Sequence, residues 1–216
     1  MRKSVVGRDD DADHVEILRG LPRIACEAPG RIEASVRTIV LSCVNVKLAG
    51  PLTVAREMLA ALTRTESFRG GRLHVIVLCH SATHYSDLAA GRVELVEDPP
   101  SGYIGRLDRE FRRFHRWSVG GSIDLWLSMS VISSRVNARR RAVYCHNPAP
   151  FHRGRSHWFS DPRFEVFRLF YGLLYGVGIG SNDLVIVQQQ WMREAFVRRY
   201  GLRRERVVVA HPVTTV

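Results

Sequence analysis

Lysine is almost missing from this chain: Lys3 and Lys47 are the only two, although 32 basic residues face 21 acidic ones. The net charge of +11 is therefore nearly all arginine, spread along the whole length instead of gathered in one dense stripe. A strongly basic balance admits nucleic acid, an anionic membrane surface or phosphorylated small molecules as partners. No recognised reader motif accompanies the charge, which disfavours nucleic acid. Cysteine is sparse as well. Cys26, Cys43, Cys79 and Cys145 lie far apart and contain no Cys-x-x-Cys pair, a pattern that suits a reducing compartment better than a disulfide framework. Long apolar runs are also missing. Met1 to Glu16 is charged and has no apolar signal-like centre. The longest uncharged run, Leu169 to Asn182, is roughly 14 residues, contains four glycines and is too short to cross a bilayer. The expectation is a cytoplasmic protein, or one lying peripherally on the inner face of a membrane.

What is present is an alternation. Residues 1–35 lack apolar periodicity, carry the acidic run Asp9-Asp10-Asp11, and read as a flexible tail. From residue 36 to 213 the 216-residue chain reads as one α/β domain. Continuous apolar runs predict strands at Thr38–Val44, Leu73–Cys79, Val93–Val96, Ile123–Met129, Ala142–Cys145, Leu184–Val187 and Val207–Ala210. Helical spacing places helices from the Gly50-Pro51 break through Leu62, and at Ser81–Ala90, Ile104–Trp117, Phe164–Tyr175 and Met192–Tyr200. Strands alternating with helices predict a doubly wound, mostly parallel, Rossmann-like sheet covered on both sides. Ligands of such sheets bind outside the carboxyl ends of the strands. The segments at those strand exits are polar or small: Asn45 to Pro51, His80-Ser81, Ser128 to Ser130, His146-Asn147-Pro148, Gln188 to Gln190 and His211-Pro212. Together they describe a polar crevice on one edge.

Several features carry two readings. The segment from Val44 to Thr53 can bring backbone N–H groups and a helix start to an anion such as a diphosphate, or form a plain turn with Gly50 supplying freedom. His146, held between a strand and the proline-rich exit Asn147-Pro148-Ala149-Pro150, can hydrogen-bond a hydroxyl or assist proton movement. It can equally be a satisfied histidine capping the sheet. His146, His152 and His157 match no usual metal-ligand spacing, so no metal is expected. Arg109, Arg112, Arg113 and Arg116 fall at helical spacing on one face, either a surface for anionic lipid or a solvated face. Gly176-Val177-Gly178-Ile179-Gly180 comes after a helix and lacks the final glycine of a dinucleotide fingerprint.

Taken in order, the Val44-to-Leu52 segment, Val143-Tyr144-Cys145-His146-Asn147-Pro148, Val185 to Met192 and Arg206 to Pro212 resemble glycosyltransferase family 4. The resemblance covers roughly Val36 to Val213 and implies the amino-terminal, acceptor-side half of a GT-B fold, two Rossmann-like domains facing across a cleft. Its implied activity is retaining transfer of a sugar (hexosyltransferase type) from a nucleotide-sugar to a saccharide or glycolipid acceptor, as in polysaccharide biosynthesis. The nucleotide-sugar is substrate, and no cofactor is implied. Carried over by position, Ala49, Gly50 and Pro51 would meet the donor diphosphate, and His146 would act beside the transferred sugar. Asn45, Asn147, Gln188 and Gln190 would line the acceptor cleft. Two departures stand out. Ala49 occupies the first of two positions that are often both glycine, and no two glutamates in the chain are eight apart, the pair the family carries in its donor domain. The expectation is therefore a half-enzyme, inactive alone, whose donor domain belongs to a continuation of the chain or to another polypeptide. The alternative is a non-catalytic binding or scaffold module of the same fold that pairs with a partner chain.

Overall fold

The computed structural model describes residues 36–47, 49–89, 91–99, 102–129, 132–151 and 161–211, the side chains of Ala49 and Tyr103 excepted. The expected tail, Ser130, His152, His157 and Pro212 lie outside the described residues. All seven expected strands form: β1 (Arg37–Cys43), β2 (Leu73–Cys79), β3 (Val93–Glu97), β4 (Leu125–Ser128), β5 (Arg140–Cys145), β6 (Leu184–Val187) and β7 (Val207–Val209). They make one sheet in the order β3-β2-β1-β4-β5-β6-β7, and every pairing is parallel. The chain is thus an α/β protein with a doubly wound, Rossmann-like sheet. Winding runs outward from β1 to β3 in one direction and from β4 to β7 in the other. The reversal falls between β1 and β4.

Side-chain alternation explains why this sheet is covered twice. Leu41 and Cys43 of β1, Val75 and Val77 of β2, Leu127 of β4 and Tyr144 of β5 enter one core cluster. There they meet Ala55 and Leu59 of helix α1 (Ala49–Thr63). The intervening residues point the other way. Val40, Ile76 and Trp126 pack with Phe114, while Val143, Cys145, Val185 and Val187 pack with Tyr175, Met192 and Phe196. The three described cysteines serve as small apolar side chains. Cys43, Cys79 and Cys145 are free and buried, and burial raises the thiol of Cys43 to about 12 and that of Cys79 to about 11.

The helices agree with the sequence reading apart from three corrections. A short helix α2 (Glu66–Arg69) precedes β2, its first turn closed by the Thr65 hydroxyl, which accepts from the Phe68 N–H at 3.3 Å. The helix expected over Ser81–Ala90 is two 3-10 turns, Ala82–His84 and Ser86–Leu88, which leave Tyr85 between them fully buried. Helix α3 is α-helical over Gly102–Asp108, opens into a π turn over Arg109–Arg113, and resumes as α-helix over Phe114–Val119. Helices α4 (Pro162–Gly176) and α5 (Gln190–Tyr200) form where expected. Asp161 caps α4 by accepting from the Phe164 N–H at 3.0 Å, and Gly201 ends α5 in the left-handed conformation.

Candidate functional site

The reversal between β1 and β4 leaves a crevice beyond their carboxyl ends, the usual ligand position in such a sheet. A cavity of about 400 Å³ opens there. Asn45, Val46 and Lys47 reach it from the exit of β1, Met129 from β4, and His146, Asn147 and Pro148 from β5. Pro51 of α1, Arg106 of α3 and Tyr171 of α4 complete the wall. Among the described residues two cations and no carboxylate line it, so the cavity favours an anion.

Four of the residues expected at the site therefore share this cavity: Asn45, Pro51, His146 and Asn147. The Ala49-Gly50-Pro51 segment is not a turn before a helix but the first turn of α1 itself. Proline suits that position because its missing N–H would find no partner within the helix. Gly50 has no left-handed backbone, and a Cβ built on it would meet nothing within 4 Å, so neither conformation nor packing calls for glycine there. Its effect is to leave the mouth of the helix open.

His146 is half-buried, and its ring lies near-parallel to that of Tyr144 with centroids 6.3 Å apart. Burial, and then the charge of Arg106, hold its pKa below the ordinary histidine value, so the imidazole is neutral near pH 7. Its buried Nδ1 has no hydrogen-bond partner among the described residues. Neither has Nε of Arg106 on the same wall. Both residues line the cavity, and each carries a buried polar atom without a partner among the described residues.

The loop that carries His146 is held by Tyr175. Its phenol accepts from the Asn147 backbone N–H at 3.0 Å and donates to the Asn147 carbonyl at 3.2 Å. Asn147 also uses its own Oδ1 to accept from the Ala149 N–H at 3.0 Å. Much of what reads as a polar cleft residue is thus committed to shaping the loop. Gln188 stands one layer back: its Nε2 donates to the Tyr144 hydroxyl at 3.0 Å, which links it to His146 through the ring contact. Gln190 begins α5 and donates to Glu194 at 2.9 Å, outside the cavity wall.

The π turn changes the expected arginine face. Arg109 is 5% exposed, with Nε 2.6 Å from Asp98 and Nη2 donating to the Pro99 carbonyl at 3.1 Å. Arg113 also turns towards Asp98, at 3.9 Å, while Arg112 and Arg116 stay exposed. The extra residue in the turn rotates the rest of the helix, and the four arginines do not share one solvent face. The same turn brings Glu110 fully inside. Its carboxylate accepts from Asn45 Nδ2 at 3.0 Å and from the Ser134 hydroxyl, behind the cavity wall.

Arg106, Tyr171, Lys47 and Glu110 were not singled out in the sequence. Lys47 had a signal, as a lone lysine directly after a buried strand. The other three lie inside helices, where only the fold brings them to the strand ends.

Fold and cavity define a doubly wound α/β protein with a cationic crevice at its topological switch point. No model of a known protein family matches the chain, and no curated protein matches it. Among the described residues no helix is long and apolar enough to cross a membrane, and no group of three or more potential metal ligands is found.

Proposed function

We propose that this chain is the acceptor-side domain of a retaining glycosyltransferase that moves a sugar from a nucleotide-sugar to a saccharide or glycolipid. One observation carries the reading. Lys47, Arg106, Asn45 and His146 converge on a single cavity beyond β1 and β5, beside the open first turn of α1. A nucleotide diphosphate matches the two cations, and a sugar hydroxyl matches the neutral imidazole. The donor domain, with its glutamate pair and further basic residues, would close the cleft from the other side and supply most of the grip on the leaving diphosphate.

The experiment is a titration of the purified chain with a panel of nucleotide-sugars, monitored by ligand-observed NMR. Weak, saturable binding that Lys47→Gln and Arg106→Gln each lower supports the reading. Affinity unchanged by both substitutions removes the crevice as the diphosphate site.

The scaffold alternative draws on a different surface. Helix α4 exposes Val166, Phe167, Leu169 and Leu173, an apolar stripe more extensive than a lone surface residue. A partner chain that binds there without any nucleotide-sugar binding in the crevice would favour this second reading.

A further inference from the structure

The opposite edge of the sheet carries a second, larger cavity of about 830 Å³. It lies where β1, β2, β4 and β5 begin, and its wall contains their first residues, Arg37, Leu73, Leu125 and Arg140. Arg72 and Arg139 precede two of these strands and line it too. Among the described residues of the wall, four arginines are thus matched by one carboxylate, that of Asp124. This edge plays no part in the crevice described above.

The charges are not evenly neutralised. Arg140 is taken up by Asp183, 2.7 Å away. Asp124 accepts from the Thr38 N–H at 2.9 Å and reaches Arg139 only at 3.8 Å, with the Arg139 side chain 80% exposed. Arg37 and Arg72 have no ion pair among the described residues, yet they are locked side by side, because the Arg37 N–H donates to the Arg72 carbonyl at 2.9 Å. Three guanidinium groups are therefore collected by the strand starts, and among the described residues their one ion-pair partner is Asp124, 3.8 Å from Arg139. Adjacent strands lie about 4.8 Å apart, so four of them spread this charge over roughly 14 Å. That exceeds what a single phosphate spans. The floor between the arginines is apolar, formed by Ile39, Leu73 and Leu125, and Ser67 adds a hydroxyl at the rim.

We infer that this trough is a binding site for an oligophosphate group, held by Arg37, Arg72 and Arg139. Guanidinium groups bind phosphate oxygens through paired, charge-assisted hydrogen bonds, and linked phosphates can engage all three at once. Free oligophosphate and the phosphate chain of a nucleoside triphosphate share this chemistry.

A chain of such positive charge binds any polyanion weakly, so the test must separate a site from a net charge. Calorimetric titration with inorganic tripolyphosphate is carried out in a Lys47→Gln/Arg106→Gln background, which silences the crevice. Saturable one-to-one binding is expected to persist there. Adding Arg37→Gln and Arg72→Gln should weaken it by about 10- to 100-fold, whereas adding Arg112→Gln and Arg116→Gln, an equal loss of charge elsewhere, should change it by less than about twofold. The single Arg37→Gln and Arg139→Gln variants, each expected to weaken binding several-fold, decide the matter if the combined variant does not fold. Adenosine triphosphate run in parallel separates the sources. Equal affinity means that the phosphate chain alone is read, and tighter binding means that the apolar floor also takes a base. Loss of binding in the crevice-silenced background, or equal sensitivity to both arginine pairs, overturns the proposal without touching the reading of the crevice.

Discussion

Asn45, at the exit of β1, donates its side-chain amide at 3.0 Å to the fully buried carboxylate of Glu110, in the π turn of α3. The bond spans 65 positions of sequence and fixes which way the Asn45 amide faces. With one N–H of Nδ2 given to Glu110, the Asn45 amide keeps its second N–H and its carbonyl oxygen. Behind Glu110 the polar chain continues through Ser134 and Ser128 to the indole N–H of Trp126.

Glu110→Ala is expected to strand the buried Ser134 hydroxyl and to free the half-buried Asn45 amide from its partner. An unsatisfied buried group costs about 1–3 kcal/mol. The loss from Glu110→Ala should therefore exceed that from Ser134→Ala, which removes one donor and leaves the Asn45 bond in place. Urea denaturation of both variants checks this ordering. Equal midpoints for Glu110→Ala and the parent protein would mean that the carboxylate does not hold the wall.

Arg109 and Arg112 provide a contrast within one helix. Arg109→Ala leaves the Asp98 carboxylate, itself 19% exposed, without its close partner. Breaking a fully buried pair from one side costs about 3–5 kcal/mol, and the partial exposure of Asp98 with Arg113 still nearby puts this loss below that range. Arg112→Ala removes a side chain that is 76% exposed and lies 3.6 Å from Asp108, a surface pair worth less than about 1 kcal/mol. Thermal melts should show a large drop for the first and almost none for the second. Similar melting temperatures would contradict the inward position of Arg109.

The strands were legible because each is a run of apolar residues with little else to be. Leu73–Cys79 is buried on both faces and reads as a strand at sight. The polar exits were legible for the same reason, since the chain leaving a buried strand must enter a loop. The π turn was not. Its residues, Arg109 to Arg113, keep ordinary helical spacing in the sequence, and the group that turns Arg109 inward is Asp98, after β3, which no local pattern connects to it. Arg106 and Tyr171 were hidden likewise: helix-interior residues reach the crevice only through the packing of α3 and α4 onto the sheet. Gln190 lies outside the described cavity wall, because α5 begins there and its side chain donates to Glu194.

The depressed pKa of His146 makes stability depend on pH with a definite sign. Burial and Arg106 favour the neutral ring in the folded state. As pH falls through about 6.5, the unfolded chain takes up the proton first. The contribution of the neutral ring is complete above that pH and is lost progressively towards the lower folded pKa. His146→Gln cannot protonate there, so it should lose less stability than the parent protein between about pH 7.5 and pH 5. Urea midpoints of the pair across this range give the comparison, and parallel curves would show that the imidazole titrates normally.

A catalytic part for His146 can be tested apart from a structural one. Its ring contributes a near-parallel contact with Tyr144 but makes no hydrogen bond through its buried Nδ1 among the described residues. A histidine kept for structure would use that nitrogen to tie its loop, and here the loop is tied instead by Tyr175 through the backbone of Asn147. Removing the imidazole should therefore leave the loop in place. If a donor domain completes the chain as the proposed transferase, a neutral imidazole beside the transferred sugar would stabilise the transition state more than the ground state. His146→Ala should then lower kcat by about 10- to 1000-fold while the melting temperature and nucleotide affinity stay nearly unchanged. Measuring kcat and melting temperature on the same preparation separates the two roles. A clear fall in melting temperature with normal turnover in the folded fraction would make His146 a structural residue and leave Lys47 and Arg106 as the crevice's remaining functional groups.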